Sequence, residues 1–214
     1  MIDELDARGF AVVKGMLTPE ACDELILGYG DDAAYRSTVV MAHHGFGAGE
    51  YRYFAYPLPA VVTRLRRELY EGTCNLANAW HERMGVAARF PAAYGDYAGA
   101  GRGKPTPLIL KYGPGDYNRL HQDRYGDEVY PFQLTVLLGG RFTGGEFVLT
   151  EQRPRMQSQA HVVALERGDA VVFAVNHRPV RGARGYFRAS MRHGVSTLHA
   201  GERYTLGVIC HDAP

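Results

Sequence analysis

Apolar and polar positions follow two different rhythms along the 214 residues. Between Pro59 and Gly85, the residues Val62, Leu65, Leu69, Leu76, Trp80 and Met84 recur at intervals of three, four or seven, which places them on one face of a helix. Gly72 falls inside this stretch, and its cost of about 1 kcal/mol relative to alanine predicts a break or kink there. Upstream, Phe10 to Lys14 reads as a short strand, followed by a helix with Thr18 as N-cap and Pro19 at the first helical position, where its missing N–H is not needed. Residues 91–107 have no periodicity and read as loop. From Pro107 onward short β-branched and aromatic runs are separated by Gly, Pro and Asp: Leu108 to Tyr112, Phe132 to Leu138, Glu146 to Thr150, His161 to Leu165, Ala170 to Val175, Arg192 to Leu198 and Tyr204 to Cys210. Such spacing predicts a sandwich or barrel. The pattern gives an α+β fold, mainly β, in which an N-terminal layer of helices and strands over 1–106 packs on a β-core over 107–214.

At roughly 150 residues per domain, 214 residues favour one domain with trimmings. A chain 46% hydrophobic and 22% charged has the make-up of a folded globular protein, which excludes disordered and fibrous classes. No apolar run approaches the ~18 residues of a membrane span. The opening Met1-Ile2-Asp3-Glu4-Leu5-Asp6 carries acids where a secretory signal carries positive charge, so the expected location is the cytoplasm. Cys22, Cys74 and Cys210 are odd in number and lack CxxC spacing, so buried thiols are expected. From Glu151 to Arg203, nine arginines stand against four acids, a net +5, which leaves the remainder at −4. This stretch is either a solvated face or a rim for an anionic partner.

The candidate chemistry centres on His121-Gln122-Asp123. Residues two apart on an extended segment project to the same side, so both side chains can reach one ion. An imidazole and a carboxylate are two of the three groups in the 2-His-1-carboxylate face that holds non-haem Fe(II) and leaves positions open. His193, 72 residues on in a predicted strand, is the best third ligand. Arg203 follows ten residues later, across a turn expected at His199 to Glu202, and a guanidinium there can grip a carboxylate bidentately. That combination is what a dicarboxylic 2-oxo acid co-substrate requires. Other motifs carry less. Gly45-Phe46-Gly47-Ala48-Gly49 reads as a turn or mobile lid, because the following Tyr51-Arg52-Tyr53-Phe54 looks extended rather than helical. Gly103-Lys104 lacks the Ser or Thr of a phosphate loop, having Pro105 instead, and Glu146 after Gly144-Gly145 reads as structural.

Taken together, these residues resemble the 2-oxoglutarate- and Fe(II)-dependent oxygenases, most closely the prolyl-hydroxylase-like branch. The resemblance extends to Leu110-Lys111-Tyr112-Gly113-Pro114-Gly115-Asp116-Tyr117, Gly144-Gly145-Glu146-Phe147 and Arg167-Gly168-Asp169-Ala170-Val171-Val172-Phe173, and to Gly9-Phe10-Ala11-Val12-Val13 with Leu17-Thr18-Pro19-Glu20. It is strong over 108–210 and loose before. It implies a double-stranded β-helix, or jelly roll, with N-terminal helices packed on one sheet. It also implies Fe(II) on His121, Asp123 and His193, 2-oxoglutarate anchored by Arg203 and steadied by Tyr112, with Thr205 or Tyr125 as alternatives, O2 as oxidant, and ascorbate as an accessory.

Three functions fit the sequence. The first is a hydroxylase of prolyl-hydroxylase type acting on a peptide, protein or amino-acid-like molecule. The second is an oxidative demethylase of alkylated nucleic-acid bases, with Arg153, Arg155, Arg178, Arg181, Arg184 and Arg188 as phosphate contacts. Against it, the position six residues past Arg203 is Ile209, where such demethylases usually have a second arginine, and their His-to-Arg separation is usually longer than ten. The third is a metal-binding β-barrel or zinc hydrolase, since raw affinity does not favour iron; a hydrolase has no need of Arg203.

Overall fold

In the computed structural model, which describes residues 1–97, 103–123 and 130–213, the chain opens with helix α1 (Ile2–Arg8). It stops at Gly9, whose φ of 78° lies in the left-handed region that glycine enters without strain. Strand β1 (Phe10–Val13) and helix α2 (Pro19–Leu27) follow as predicted, with the Thr18 hydroxyl accepting from the Ala21 N–H at 3.3 Å. Next come β2 (Tyr35–Val40), β3 (Gly47–Ala48) and β4 (Glu50–Phe54). Helix α3 (Ala60–Arg83) runs 24 residues straight through Gly72, contrary to the predicted break. The buried stripe of Val62, Leu65, Leu69, Leu76 and Trp80 supplies more than the glycine costs, and Gly72 itself lies on the solvent side.

The β-core is built from β5 (Leu108–Tyr112), β6 (Tyr117–His121), β7 (Phe132–Gly139), β8 (Phe142–Gly144), β9 (Phe147–Gln152), β10 (Gln159–Val163), β11 (Ala170–Ala174), β12 (His177–Gly182), β13 (Gly185–Val195), β14 (Leu198–Gly201) and β15 (Arg203–Val208). Seven strands form one sheet in the order β1-β11-β7-β15-β5-β4-β2. A second sheet runs β10-β9-β13-β6-β3, with β12 also on β13, and β14 pairs with β8. The registered strand pairs are antiparallel.

Period-two alternation sorts the large sheet's side chains into two jobs. On β7 and β15, Leu134, Val136, Leu206 and Val208 face the helices and join Leu65, Leu69, Tyr70 and Trp80 in the main core. Gln133, Thr135, Arg203 and Thr205 face the opposite way, into the space between the sheets. A smaller core of Phe10, Phe147, Leu149, Val171, Phe173 and Val175 closes one end of that space.

The N-terminal layer of helices and strands supplies β1, β2 and β4 to the large sheet. Three sequence readings are corrected. The 45–49 segment does not remain a free turn: Gly47 and Ala48 pair with Asn118 and Tyr117 of β6. The strand read from Arg192 is the end of the 11-residue β13, whose first half forms a hairpin with β12 from the arginine-rich stretch. The turn expected at His199 to Glu202 is mostly strand β14. All three cysteines are free and buried. No helix among the described residues is long and apolar enough to cross a membrane.

Candidate active site

Strand β6 ends at His121, and β13 runs beside it with His193 as the Cα partner of His121. Directly opposed residues of an antiparallel pair project to the same side, so the two imidazoles meet, with ring centroids 4.2 Å apart. Asp123, two residues beyond the strand end, turns its carboxylate to both: Oδ1 lies 3.5 Å from His121 Nε2 and Oδ2 3.5 Å from His193 Nε2. One donor atom from each residue falls within 4.8 Å of the others, close enough for a single ion to bridge them.

The surroundings fix these groups. The His121 Nδ1 lies 2.7 Å from the Arg119 carbonyl. A carbonyl only accepts, so Nδ1 carries the proton and Nε2 is left to face the centre. His193 sits among apolar rings, 4.6 Å from Phe173 and 6.0 Å from Phe147, and burial holds its pKa below the ordinary histidine value. Burial acts to raise the Asp123 carboxyl, but its contacts with His121 and His193 outweigh this and hold it well below the usual carboxylate range. Burial lowers His121 too, yet its proximity to Asp123 leaves the imidazole raised overall. The carboxylate therefore stays ionised, as a metal ligand must.

At the other end of the same space, Arg203 begins β15 directly opposite Tyr112 of β5, and its guanidinium carbon is 5.7 Å from the Tyr112 ring centroid. Gly145, at φ 68°, makes room for the arginine: a Cβ there would lie 3.1 Å from Arg203 Cδ. Arg203 is 2% exposed, and none of the described carboxylates forms an ion pair with it. Its Nη1 and the Tyr112 hydroxyl are both buried without a hydrogen-bond partner among the described residues. Burial pushes the guanidinium down and the Tyr112 phenol up to about 12. The Glu146 carboxylate acts on the guanidinium only from a distance, being bonded to the Ser196 hydroxyl. A buried cation without a carboxylate in contact is costly, so the site fits an anion of complementary shape. Thr205 lies two residues along β15 on the same face, 1% exposed.

Triad and arginine open onto one cavity of about 450 Å³. All six residues singled out from the sequence, His121, Asp123, His193, Arg203, Tyr112 and Thr205, line it. Tyr125 lies outside the described residues. The sequence reading missed three further lining residues, Tyr51, Tyr53 and Gln133. The first two form an edge-to-face pair with centroids 5.3 Å apart, and their alternation in Tyr51-Arg52-Tyr53 was the available signal. Gln133 is a buried amide in a largely apolar strand, and with Thr135 two residues on it makes the polar interruption that marks this face.

The six arginines considered as phosphate contacts divide in two. Arg178 is buried against Glu151 at 2.7 Å, Arg153 pairs with the same carboxylate, and Arg188 donates to the Met84 carbonyl. Arg155, Arg181 and Arg184 are exposed.

The chain is similar to several known proteins. A family model described as an oxygenase catalysing oxidative methylation of damaged DNA matches residues 49–213. An uncharacterized protein of Mycobacterium tuberculosis, strain H37Rv, is 42% identical over 167 residues, 75% of this chain and 72% of that protein. Among solved structures, a prolyl-4-hydroxylase of Pseudomonas putida superposes with a TM-score of 0.60 at 15% identity, covering 99% of this chain and 97% of that one. An oxidoreductase of the 2OG-Fe(II) oxygenase family from Burkholderia pseudomallei gives 0.54 at 19% identity, covering 99% and 90%. At these identities the structural likenesses speak for the fold, a jelly roll of prolyl-hydroxylase-like form. The family match spans most of the chain and makes this chain a member of that oxygenase family.

Proposed function

We propose that His121, Asp123 and His193 hold Fe(II), that Arg203, with Tyr112 and Thr205, binds 2-oxoglutarate, and that the protein oxidises a methyl group on a damaged nucleic-acid base. One observation carries the site: a buried guanidinium without a carboxylate partner shares a cavity with two imidazoles and a carboxylate clustered tightly enough for one ion. A zinc hydrolase would have no use for Arg203. When bound, Fe(II) and 2-oxoglutarate supply oxidative decarboxylation of the oxo acid by O2 and deliver the second oxygen atom to a substrate C–H bond.

The protein's own groups organise that chemistry. Arg203 offers its unpaired N–H to the distal carboxylate of the oxo acid, and the Tyr112 hydroxyl, buried beside it, donates to the same group. Phe147 and Phe173 keep water from the His193 side of the centre. Tyr51 and Tyr53 give the cavity an aromatic wall on which a flat ring extruded from a strand stacks.

For the substrate, the damaged DNA in the family description favours a nucleic-acid base. The peptide or amino-acid-like substrate draws only on the hydroxylase fold, at low identity. Of the six arginines considered as phosphate contacts, Arg155, Arg181 and Arg184 are exposed and available to meet phosphate, while Arg178 is committed to Glu151. Residues 1–214 act as one oxygenase unit.

The test is incubation of the purified protein with Fe(II), 2-oxoglutarate and a single-stranded oligonucleotide bearing an N-methylated base. Expected are succinate and formaldehyde in equal amounts with loss of the methyl group, abolished by salt high enough to displace phosphate contacts. Succinate formed with a proline-containing peptide and none with the oligonucleotide would return the substrate to the hydroxylase reading.

A further inference from the structure

The middle residue of the His-Gln-Asp motif has no part in ligation, yet it is the most heavily tethered of the three. The Gln122 Nε2 lies 2.8 Å from the Asn176 carbonyl, 2.9 Å from the Met191 carbonyl and 3.0 Å from the Ser190 hydroxyl. Two carbonyl oxygens at that range face only a donor, so the amide orientation is set by chemistry: its two N–H groups serve the two carbonyls, and the hydroxyl shares one of them. The Asn176 carbonyl is a junction in its own right, since it also accepts from the Met191 N–H at 2.7 Å.

The location gives this tether its meaning. Strand β6 ends at His121, so Gln122 and Asp123 lie past the last rung of the ladder with β13. His121 is registered by its pairing with His193, whereas Asp123 is beyond that pairing. The Gln122 amide reaches β13 at Ser190 and Met191, just ahead of His193 on the same strand. It thereby extends the grip between the two segments by one step, to the residue next to the carboxylate.

We propose that Gln122 is a positioning residue that holds the Asp123 carboxylate against His193, so that the ligand set is organised before metal arrives. The inference rests on the metal reading above. Outer partners of metal ligands typically contribute 10–100-fold to metal affinity.

The experiment uses the full chain and Co(II), following its visible ligand-field absorption. Q122M fills the same volume without a donor. Its metal-free form is expected to unfold within a few degrees of wild type while Co(II) binds 10–100-fold more weakly, with an altered band shape. In the D123A background, Q122M is expected to add nothing further, because the glutamine acts through that carboxylate. Wild-type affinity and spectrum in Q122M overturn the proposal, and so does a loss that persists undiminished in the D123A background. Should Q122M not fold, Q122N keeps the donor on an arm one methylene shorter and enters the same cycle with the same two outcomes. If D123A and H193A both leave Co(II) affinity unchanged, the metal reading itself fails, which is distinct from failure of the Gln122 tether alone.

Discussion

His193 and His121 are partners across the β13–β6 ladder, and that single rung brings residues far apart in the chain to ring centroids 4.2 Å apart. A site made by a ladder is organised by the same hydrogen bonds that make the fold, so its ligands should couple metal binding to stability. Metal at one hundred times its dissociation constant should stabilise the wild type by about 2.7 kcal/mol, reversibly with chelator. H193A and H121A should each lose most of that gain while remaining folded. Thermal unfolding with and without Fe(II) under anaerobic conditions measures it, and a full metal-dependent shift in H193A would refute the three-residue site.

Arg203 should betray its role by what its removal does to the empty protein. A buried cation with no carboxylate in ion-pair contact is a burden on the fold, so R203M, similar in bulk and uncharged, should be at least as stable as wild type without ligand. The same variant should lose all stabilisation by 2-oxoglutarate. R203K keeps a charge but not the two-pronged donor, and should raise the KM for 2-oxoglutarate by about 10–100-fold, the worth of one charge-assisted hydrogen bond. If R203M is destabilised by several kcal/mol and still responds to 2-oxoglutarate, the guanidinium is a structural strut.

The site was legible in the sequence because its chemistry is concentrated in residue types that are seldom buried without a partner. His121, Asp123, His193, Arg203, Tyr112 and Thr205 do meet in one cavity. The fold was legible where apolar runs are fully buried, as in β7 and β11, whose residues are apolar enough to mark a central strand. It was illegible where a strand carries charge on an exposed face. The β12–β13 hairpin holds Arg178, Arg181, Arg184 and Arg188, and its pairing is set by the backbone ladder, which leaves no apolar rhythm to read. Strand β6 was missed for a related reason: Arg119 and Leu120 are both exposed, so alternation fails where the strand forms the cavity rim. The aromatic wall escaped notice because Tyr51 and Tyr53 become cavity residues only once β4 pairs with β5.

Gly72 offers a test confined to stability. It sits on the exposed side of α3, and a Cβ there would meet nothing within 4 Å. G72A should therefore stabilise the protein by about 1 kcal/mol through helix propensity and reduced freedom of the unfolded chain. Chemical denaturation should show a higher midpoint with unchanged slope, and turnover should match wild type. A destabilised G72A would mean that the unbroken helix stores strain at this position.

The acid limit of stability should trace in part to Glu151. Burial raises its carboxyl, but hydrogen bonds from Arg153 and Arg178 outweigh this and leave it below the ordinary glutamate value. A carboxyl depressed in the folded state contributes stability that is fully present above its unfolded pKa of about 4.3 and is lost as pH falls through the folded value. E151Q leaves Arg178, 5% exposed, without its counter-charge, and should cost about 3–5 kcal/mol at pH 7. As the pH drops below about 4, the wild-type carboxyl takes up its own proton and the gap between the two proteins should narrow. Urea midpoints at neutral and acid pH measure that convergence. Replacing both partners in E151L/R178M should recover much of the loss, because the cost lies in the orphaned charge rather than in the missing bond. A gap independent of pH would place the role of Glu151 in packing.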